Sequence, residues 1–210
     1  MNILIIVGAG GFALEVAAYA EDVTHAHVSG YTIKGYLDDT KQVGMCRGGY
    51  PVLGNTDMPV DKNALYIVAV GMPESRKLLT EKLAAKGAKF TTIIHQLSYV
   101  AENAQIGAGS IVAPFAFVGP EAHVGKHCVL NVHSCVAHES RIGTYSVLSP
   151  YAATHGGAVL SSGVFMGSNA IITAKQHIGE NATIAAGAVV YNEIPAGKLA
   201  MGNPAAHRST

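Results

Sequence analysis

The sequence predicts a fold in two parts, a small α/β domain followed by a parallel β-helix. Two observations carry this prediction: a strand, glycine turn and helix pattern at the start of the chain, and an unbroken six-residue repeat in its second half. The length of 210 residues suits one or two domains. We expect the α/β domain at residues 1–95 and the β-helix, with a C-terminal tail, at residues 96–210.

The first domain alternates apolar runs with helical patterns. The run Ile3–Val7 is fully apolar and precedes the glycine-rich segment 8–13, after which apolar residues recur at helical spacing. Further elements are predicted as strands at Tyr31–Leu37, Ala64–Val70 and Lys89–Ile94 and as a helix at Glu74–Lys86. This alternation predicts a Rossmann-like βαβ arrangement with a parallel sheet.

Ligands of such sheets bind beyond the carboxyl ends of the strands. The residues predicted at these ends are Gly10, Gly11, Phe12, Asp38, Asp39 and Gly71. Backbone amides of a glycine turn at a helix start suit a diphosphate, and an aspartate suits sugar hydroxyls or a base edge. A domain this short holds one βαβ half, which favours a mononucleotide over the dinucleotide of a dehydrogenase. Alternatively, the glycines only permit close packing and Asp38–Asp39 is a solvated turn.

The second half repeats with a period of six. Every sixth residue from Val100 to Val190 is aliphatic except Thr154, and a small residue usually stands two positions earlier. A strand and a turn take six residues, and three such units close one coil of a triangular prism. The small residue fits a tight corner, and we expect the glycines that follow the aliphatic positions to relax the backbone where it turns. No large loop is predicted to leave the prism.

The charge and the composition of the chain limit the kinds of partner that it can bind. Charged residues make up 13% of the chain, against about 25% in typical soluble domains, and only eight lie between residues 100 and 194. We therefore expect another subunit to cover at least one prism face, most simply in a homotrimer. Zero net charge without a basic stripe argues against nucleic acid and membrane partners. Three cysteines without motif spacing suit the cytoplasm.

Histidines supply the candidate chemistry of the prism. His138 lies outside both core positions of the repeat and Glu139 follows it, so the pair suits a general base with a carboxylate that stabilises the imidazolium. A solvated turn is the alternative. His133 lies five residues earlier, which also admits zinc as in gamma-class carbonic anhydrases, although a third ligand is lacking. A noncatalytic scaffold would leave the pair unexplained.

The motifs GAGGFALEV, YLDD, GMPESRK, LNVHSCVAHESRIG and GNPAA, together with the repeat, resemble one known family nearly end to end. The chain is similar to bacterial nucleotide-sugar N-acetyltransferases of the left-handed β-helix superfamily, with sialic acid O-acetyltransferase-like proteins as near relatives. The resemblance implies the left hand of the helix, a homotrimer, and acetyl-CoA as the donor, without a metal. It implies acetylation of a UDP- or dTDP-linked 4-amino-4,6-dideoxyhexose in glycan biosynthesis, with sugar O-acetylation as the alternative.

The resemblance also assigns residue roles. The catalytic set falls on His138 as general base, Glu139 as its partner acid and Asn131 near the acceptor amine. The substrate-binding set falls on Gly10, Gly11, Phe12, Asp38, Asp39, Gly71 and Arg76. The coenzyme A set falls on His155, Gly156, Gly167, Ser168 and Ala186. Some relatives carry a histidine at the position of Phe12. Some also carry a histidine near the acyl donor at the position of Val147, and we expect His155 to make that contact here.

Overall fold

The computed structural model describes residues 2–25 and 30–208. Its first domain is a six-stranded sheet in the order β3-β4-β2-β1-β5-β6, parallel except for the β3–β4 hairpin. Its elements are β1 (Asn2–Val7), α1 (Gly11–His25), β2 (Tyr31–Leu37), β3 (Cys46–Arg47), β4 (Tyr50–Gly54), β5 (Ala64–Val68), α2 (Pro73–Ala85) and β6 (Lys89–Phe90). The Rossmann-like prediction is confirmed; the hairpin is an addition to it.

Strand β1 is apolar from Ile3 to Val7 because both of its faces are covered there. Leu4 and Ile6 pack in one cluster with α1, whereas Ile5 and Val7 pack in a second cluster with Leu83 of α2. Successive side chains of a strand point to opposite faces, so a central strand between two helices leaves no position for a polar side chain.

The predicted strand Lys89–Ile94 is in fact two strands in different parts of the molecule. Strand β6 ends the first sheet at Phe90, whereas Ile93–Ile94 pairs with Ile111–Val112 and already belongs to the β-helix. The expected boundary at residues 95 and 96 therefore falls inside the first coil. The two apolar runs are continuous in sequence, which is why the pattern did not separate them.

The β-helix consists of two-residue strands that recur every six residues. In chain order they are β7 (Ile93–Ile94), β8 (Tyr99–Val100), β9 (Gln105–Ile106), β10 (Ile111–Val112), β11 (Phe117–Val118), β12 (His123–Val124), β13 (Val129–Leu130), β14 (Cys135–Val136), β15 (Arg141–Ile142), β16 (Val147–Leu148), β17 (Ala153–Thr154), β18 (Val159–Leu160), β19 (Phe165–Met166), β20 (Ile171–Ile172), β21 (His177–Ile178), β22 (Thr183–Ile184) and β23 (Val189–Val190), followed by the hairpin β24 (Leu199–Met201) and β25 (Ala206–Arg208).

These strands form three sheets, which we call faces 1, 2 and 3. Face 1 contains β7, β10, β13, β16, β19, β22, β24 and β25; face 2 contains β8, β11, β14, β17, β20 and β23; face 3 contains β9, β12, β15, β18 and β21. From β8 to β23 the second residue of each strand points inward, and these side chains, aliphatic except Thr154, form one continuous core with the small residues. The predicted prism is confirmed, and its strand count is unbroken by any large loop.

The role expected for the glycines after the aliphatic positions is wrong. The left-handed backbone occurs two residues later in most units, for example at Glu121 (φ 59°) and Glu139 (φ 60°), and most of these positions are not glycine. The earlier glycines are needed because successive coils approach closely. A Cβ on Gly119 would lie 2.8 Å from the backbone nitrogen of His138, a separation that real side chains do not tolerate.

The first domain itself covers face 1, so the expectation that another subunit covers at least one face concerns the other two faces. The outward residues Ile111, Val129 and Val147 are buried in the same cluster as Val16 and Ala20 of α1. Face 2 remains open within one chain: its outward side chains are apolar, and Tyr99 and Phe117 are 56% and 39% exposed. Face 2 is therefore a surface that a second copy is expected to cover. In the described part of the chain, no helix combines the length and apolarity needed to cross a bilayer.

Candidate functional site

The edges of the prism position the predicted site residues. Edge 1/2, between faces 1 and 2, carries residues 95–98, 113–116, 131–134, 149–152, 167–170 and 185–188. Edge 2/3, between faces 2 and 3, carries residues 101–104, 119–122, 137–140, 155–158 and 173–176.

The glycine turn after β1 opens toward space at the start of α1. A Cβ on Gly10, Gly11 or Gly71 would meet nothing within 4 Å. The first turn of α1 carries no acidic residue, so no carboxylate of that turn competes with a ligand for the positive end of the helix. Backbone N–H groups at this end can therefore donate hydrogen bonds to a diphosphate, the ligand that the sequence predicts.

Asp38 and Asp39 are largely engaged by the protein itself. Asp38 accepts hydrogen bonds from the amide of Ala9 at 2.7 Å, from the amide and hydroxyl of Thr40 at 2.8 and 2.7 Å, and from the amide of Lys41 at 3.0 Å. Burial opposes the charged form of Asp38, but these hydrogen bonds, led by those from Thr40, outweigh it and hold the pKa below its usual value. Asp38 thus fixes the glycine turn to the second strand.

Asp39 is held in the same way, and with Asp38 it lines a small cavity. Its carboxylate accepts the amide and hydroxyl of Thr56 at 2.7 and 2.8 Å. The cavity, about 160 Å³, is lined by both aspartates together with Gly8 and Thr56. The carboxylate oxygens that a ligand would meet there already accept hydrogen bonds from the protein. The two aspartates therefore fix the shape of the cavity in addition to offering acceptors to a ligand.

The structure corrects the role expected for Arg76. Its guanidinium is fully buried and donates to the carbonyls of Val68 at 2.6 Å, Val70 at 3.1 Å, His127 at 2.5 Å and Gly109 at 3.4 Å. Burial lowers the pKa of Arg76 to about 10, which still leaves it charged at neutral pH. Arg76 cannot reach a substrate. It joins α2 to two turns of the β-helix and thereby fixes the two domains to each other.

A cavity of about 360 Å³ lies between the first domain and face 1, and it brings several predicted residues together. Phe12 and Gly71 of the first domain line it, opposite Asn131 on edge 1/2. The side-chain oxygen of Asn131 accepts the amide of Val132 at 2.7 Å, which leaves its NH₂ group for a ligand. We call this space the acceptor cavity.

The acceptor cavity also contains residues that the sequence analysis did not single out: Glu15, Met72, Ser149 and Phe165. Phe165 occupies the outward position before the core residue Met166. A large aromatic residue at an outward position of the repeat is the sequence signal that could have identified it. Glu15 lies on an exposed part of α1, where a carboxylate carries no signal by itself. A larger cavity, about 640 Å³, shares Met72 and Phe165 but contains none of the predicted site residues.

His138 projects from edge 2/3 with a defined orientation. Its Nδ1 lies 2.8 Å from Oε2 of Glu139, and both side chains are 63% exposed. The ring lies against Gly156 of the next coil, where a Cβ would stand 2.5 Å from Nε2. The contact with Glu139 engages Nδ1, and no hydrogen bond from the described residues engages Nε2. A neutral imidazole held in this way presents a lone pair that can accept a proton.

The predicted catalytic residues lie on two edges of one chain. Asn131 is on edge 1/2, whereas His138 and Glu139 are on edge 2/3, with the width of face 2 between them. The predicted coenzyme residues divide in the same way: His155 and Gly156 are on edge 2/3, and Gly167, Ser168 and Ala186 are on edge 1/2. One chain alone therefore does not assemble the predicted site.

His133 and His138 lie on different edges of the prism, so they are not placed to bind one zinc ion within a single chain. His133 is on edge 1/2, stacked between Phe115 at 5.0 Å and Tyr151 at 4.7 Å between ring centroids. The two histidines thus point from different edges. Within residues 2–25 and 30–208, no group of three or more His, Cys, Asp or Glu side chains is arranged to hold a metal ion.

Comparisons with known proteins agree with this architecture. The family model described as PglD N-terminal domain matches residues 3–83. GDP-perosamine N-acetyltransferase of Escherichia coli O157:H7 is 32% identical over 98% of this chain and 96% of its own length. The acetyltransferase domain of PglB from Neisseria gonorrhoeae FA1090 superposes with a TM-score of 0.89 at 28% identity, over 99% of this chain and 100% of that one.

A further solved structure is PerB from Caulobacter crescentus in complex with CoA and GDP-perosamine. It has a TM-score of 0.89 at 25% identity and covers 100% of this chain and 98% of its own. Similarity of this extent spans both domains and the edges that carry the candidate site. The chain belongs to the nucleotide-sugar N-acetyltransferases of the left-handed β-helix family.

Proposed function

We propose that this enzyme transfers the acetyl group of acetyl-CoA directly to the amine of a UDP- or dTDP-linked 4-amino-4,6-dideoxyhexose, with His138 as general base. The observation that carries the proposal is the orientation of His138. Glu139 binds one ring nitrogen at 2.8 Å and the ring lies against Gly156, so the other nitrogen, Nε2, is left without a hydrogen-bond partner among the described residues. A similar PglB domain has been solved in complex with acetyl coenzyme A, which supports the same donor here.

Residues 1–95 bind the nucleotide in this proposal. The diphosphate lies at the open glycines Gly10 and Gly11, where α1 begins, and the nucleoside extends toward the cavity between Asp38 and Asp39. From there the hexose reaches the acceptor cavity, with Phe12 and Gly71 at its entrance and Asn131 at its far side. Because a solved relative holds GDP-perosamine, guanosine joins uridine and thymidine among the nucleotides to be compared.

Two copies complete each site, and we propose a homotrimer as the assembly that joins them. The apolar outer surface of face 2, with Tyr99 and Phe117 exposed, supports burial of this face between copies. A closed ring of three prisms then brings edge 2/3 of one copy to edge 1/2 of the next. His138 of one copy meets the acceptor cavity and Asn131 of its neighbour, and coenzyme A lies in the seam between the two edges.

The transfer step uses groups that the chain supplies. The amine nitrogen attacks the thioester carbonyl carbon while Nε2 of His138 takes one proton from that nitrogen, and Glu139 stabilises the imidazolium. The carbonyl oxygen becomes an oxyanion, for which the amide of Gly156, unused in the described hydrogen bonds, is a suitable donor. The carbon–sulfur bond then breaks, and the imidazolium returns the proton to the departing thiolate. Each site thus ends as it began.

The first test compares acceptors and removes the base. Purified enzyme is given acetyl-CoA with UDP-, dTDP- and GDP-linked 4-amino sugars and their 4-hydroxy counterparts, and released thiol is measured. We expect turnover with an amine, and His138→Ala lowers kcat by roughly 10² to 10⁴. His177→Ala is the matched control, because His177 is also exposed on the prism and lies 3.3 Å from a carboxylate, that of Glu193. Turnover of hydroxyl acceptors alone would favour O-acetylation. Unchanged activity of the His138→Ala variant would show that His138 is not the general base.

The second test asks whether two copies share each site. His138→Ala and Asn131→Ala are inactive or weak alone, and the two variants are then co-expressed with different tags. In a trimer mixed at random, about one quarter of the sites combine an intact His138 with an intact Asn131 from the neighbouring copy. Recovery to about that fraction of wild-type activity is expected. No recovery in verified mixed trimers would mean that one copy holds the whole site.

We also propose that the reaction takes place in the cytoplasm. The three cysteines, at positions 46, 128 and 135, are all free in the structure, which suits a reducing compartment.

A further inference from the structure

The acceptor cavity contains one ionisable side chain, and it has no role in the function proposed above. Of the ten residues that line the cavity, only Glu15 carries a charge at neutral pH; most of the others, such as Val129, Val147 and Phe165, are apolar. Glu15 is exposed, so solvent screens part of its charge, but it is the one charged side chain among those that line the cavity. A ligand that fills this cavity therefore meets a negative charge at one defined place.

A hydrogen bond from Tyr19 holds the carboxylate of Glu15 in position. The hydroxyl of Tyr19, one helical turn further along α1, donates to Oε2 of Glu15 at 3.1 Å. Tyr19 is itself buried and packs edge-on against the ring of His95 at 5.7 Å between centroids. Burial, followed by the charge of Glu15, raises the pKa of Tyr19 well above its usual value, so the hydroxyl keeps its proton as a donor.

The second oxygen of Glu15 is available to a ligand. Oε1 accepts no hydrogen bond from the residues that the structure describes. A buried donor that fixes one oxygen of a cavity-lining carboxylate and leaves the other without a partner among the described residues suits a cationic or multiply donating ligand group. A primary amine meets this requirement in both of its protonation states, because the ammonium form adds charge and the neutral form still donates N–H.

We propose that Glu15 is the residue that selects an amine over a hydroxyl on the acceptor sugar. Its Oε1 binds the acceptor nitrogen as the ammonium arrives, and keeps a hydrogen bond to the neutral amine after one proton has passed to solvent. Asn131 lines the same cavity and orients the nitrogen toward the seam where the acetyl donor lies. This inference rests on the proposed function, since it assumes that the hexose occupies the acceptor cavity.

A hydroxyl acceptor gains less from Glu15 for a simple reason. It offers one hydrogen bond and no positive charge, so it loses the charge-assisted part of the contact. Replacement of Glu15 by glutamine removes the negative charge with almost no change of shape. The discrimination between amine and hydroxyl should therefore fall, and the affinity for the hydroxyl compound should not.

The experiment measures binding of a matched pair of compounds to the full-length enzyme by calorimetry. The first pair is UDP-4-amino-4,6-dideoxyglucose and UDP-6-deoxyglucose, and the same pair is repeated in the dTDP and GDP series. Glu15→Gln is expected to weaken binding of the amine about 10-fold and of the hydroxyl compound less than twofold. Glu21→Gln is the matched control, because Glu21 lies on the same helix and accepts the hydroxyl of Tyr50 at 2.6 Å outside the cavity.

The outcomes separate this inference from the proposed function. Equal weakening of both compounds, or of neither, would overturn the role of Glu15 while the enzyme still binds and acetylates its acceptor. Failure of the wild-type enzyme to bind any amine compound in the three series would overturn the proposed acceptor class, and with it this inference. A change in the Glu21→Gln variant equal to that in Glu15→Gln would assign the effect to α1 as a whole.

Discussion

Gly156→Ala is predicted to disable the enzyme by moving the imidazole of His138. A Cβ at this position would stand 2.5 Å from Nε2 of His138, whereas ordinary van der Waals contact begins near 3.4 Å. The ring must therefore shift by about 1 Å, or turn away from Glu139, to admit one methyl group. A displacement of about 1 Å at a reacting group costs about 10²-fold in rate, and we expect kcat to fall by that factor.

The assay must distinguish positioning of His138 from an effect on the coenzyme. Kinetics are measured for Gly156→Ala, His138→Ala and the double variant, together with the unfolding temperature of each. If Gly156 acts through His138, the alanine at position 156 lowers kcat in the wild type and has no further effect once the imidazole is gone. The KM for the nucleotide sugar and the unfolding temperature should stay near the wild-type values, because the ring is exposed.

Two results would refute this reasoning. An unchanged kcat in Gly156→Ala would mean that the ring tolerates the methyl group and that its position is not critical. A loss as large in the His138→Ala background as in the wild type would mean that Gly156 acts on the donor or the oxyanion independently of the imidazole.

Three further predictions concern stability and assembly. Arg76→Met removes the buried guanidinium that binds four carbonyls across the domain boundary, and should lower the free energy of unfolding by about 3–5 kcal/mol in denaturant titrations; unchanged stability with a raised KM for the nucleotide sugar would instead return Arg76 to substrate binding. Burial, followed by the charges of Arg76 and Lys126, lowers the pKa of His127 to about 4, so the unfolded chain binds more protons than the folded one between about pH 6.5 and pH 4. Stability should fall as the pH falls through that window, by up to about 3 kcal/mol, and His127→Phe should lose this part of the pH dependence; an identical pH profile would contradict it. Phe117→Asp places a charge on the open apolar face 2, and light scattering should then give the mass of one chain instead of three; an intact trimer would show that face 2 is not the interface.

The sequence by itself determined the β-helix and the outward direction of His138. A six-residue period allows one arrangement of inward and outward positions, and the aliphatic residues from Val100 to Val190 fill the inward ones. Any residue two positions beyond an aliphatic one must therefore stand on an edge, as His138 does. The strand and the glycine turn at Ile3–Gly11 could also be predicted, because a buried parallel strand and the start of a helix are each encoded within a few neighbouring residues.

Only the tertiary structure decided which of the candidate residues face a ligand. Arg76 and the carbonyl that it binds at His127 are 51 positions apart, and no local pattern states that the two domains close over this guanidinium. The same packing of α1 on face 1 buried the outward residues of that face and placed Glu15 on the wall of the acceptor cavity. Periodicity fixes the side of an element on which a residue lies, whereas what lies opposite that side depends on contacts between distant segments.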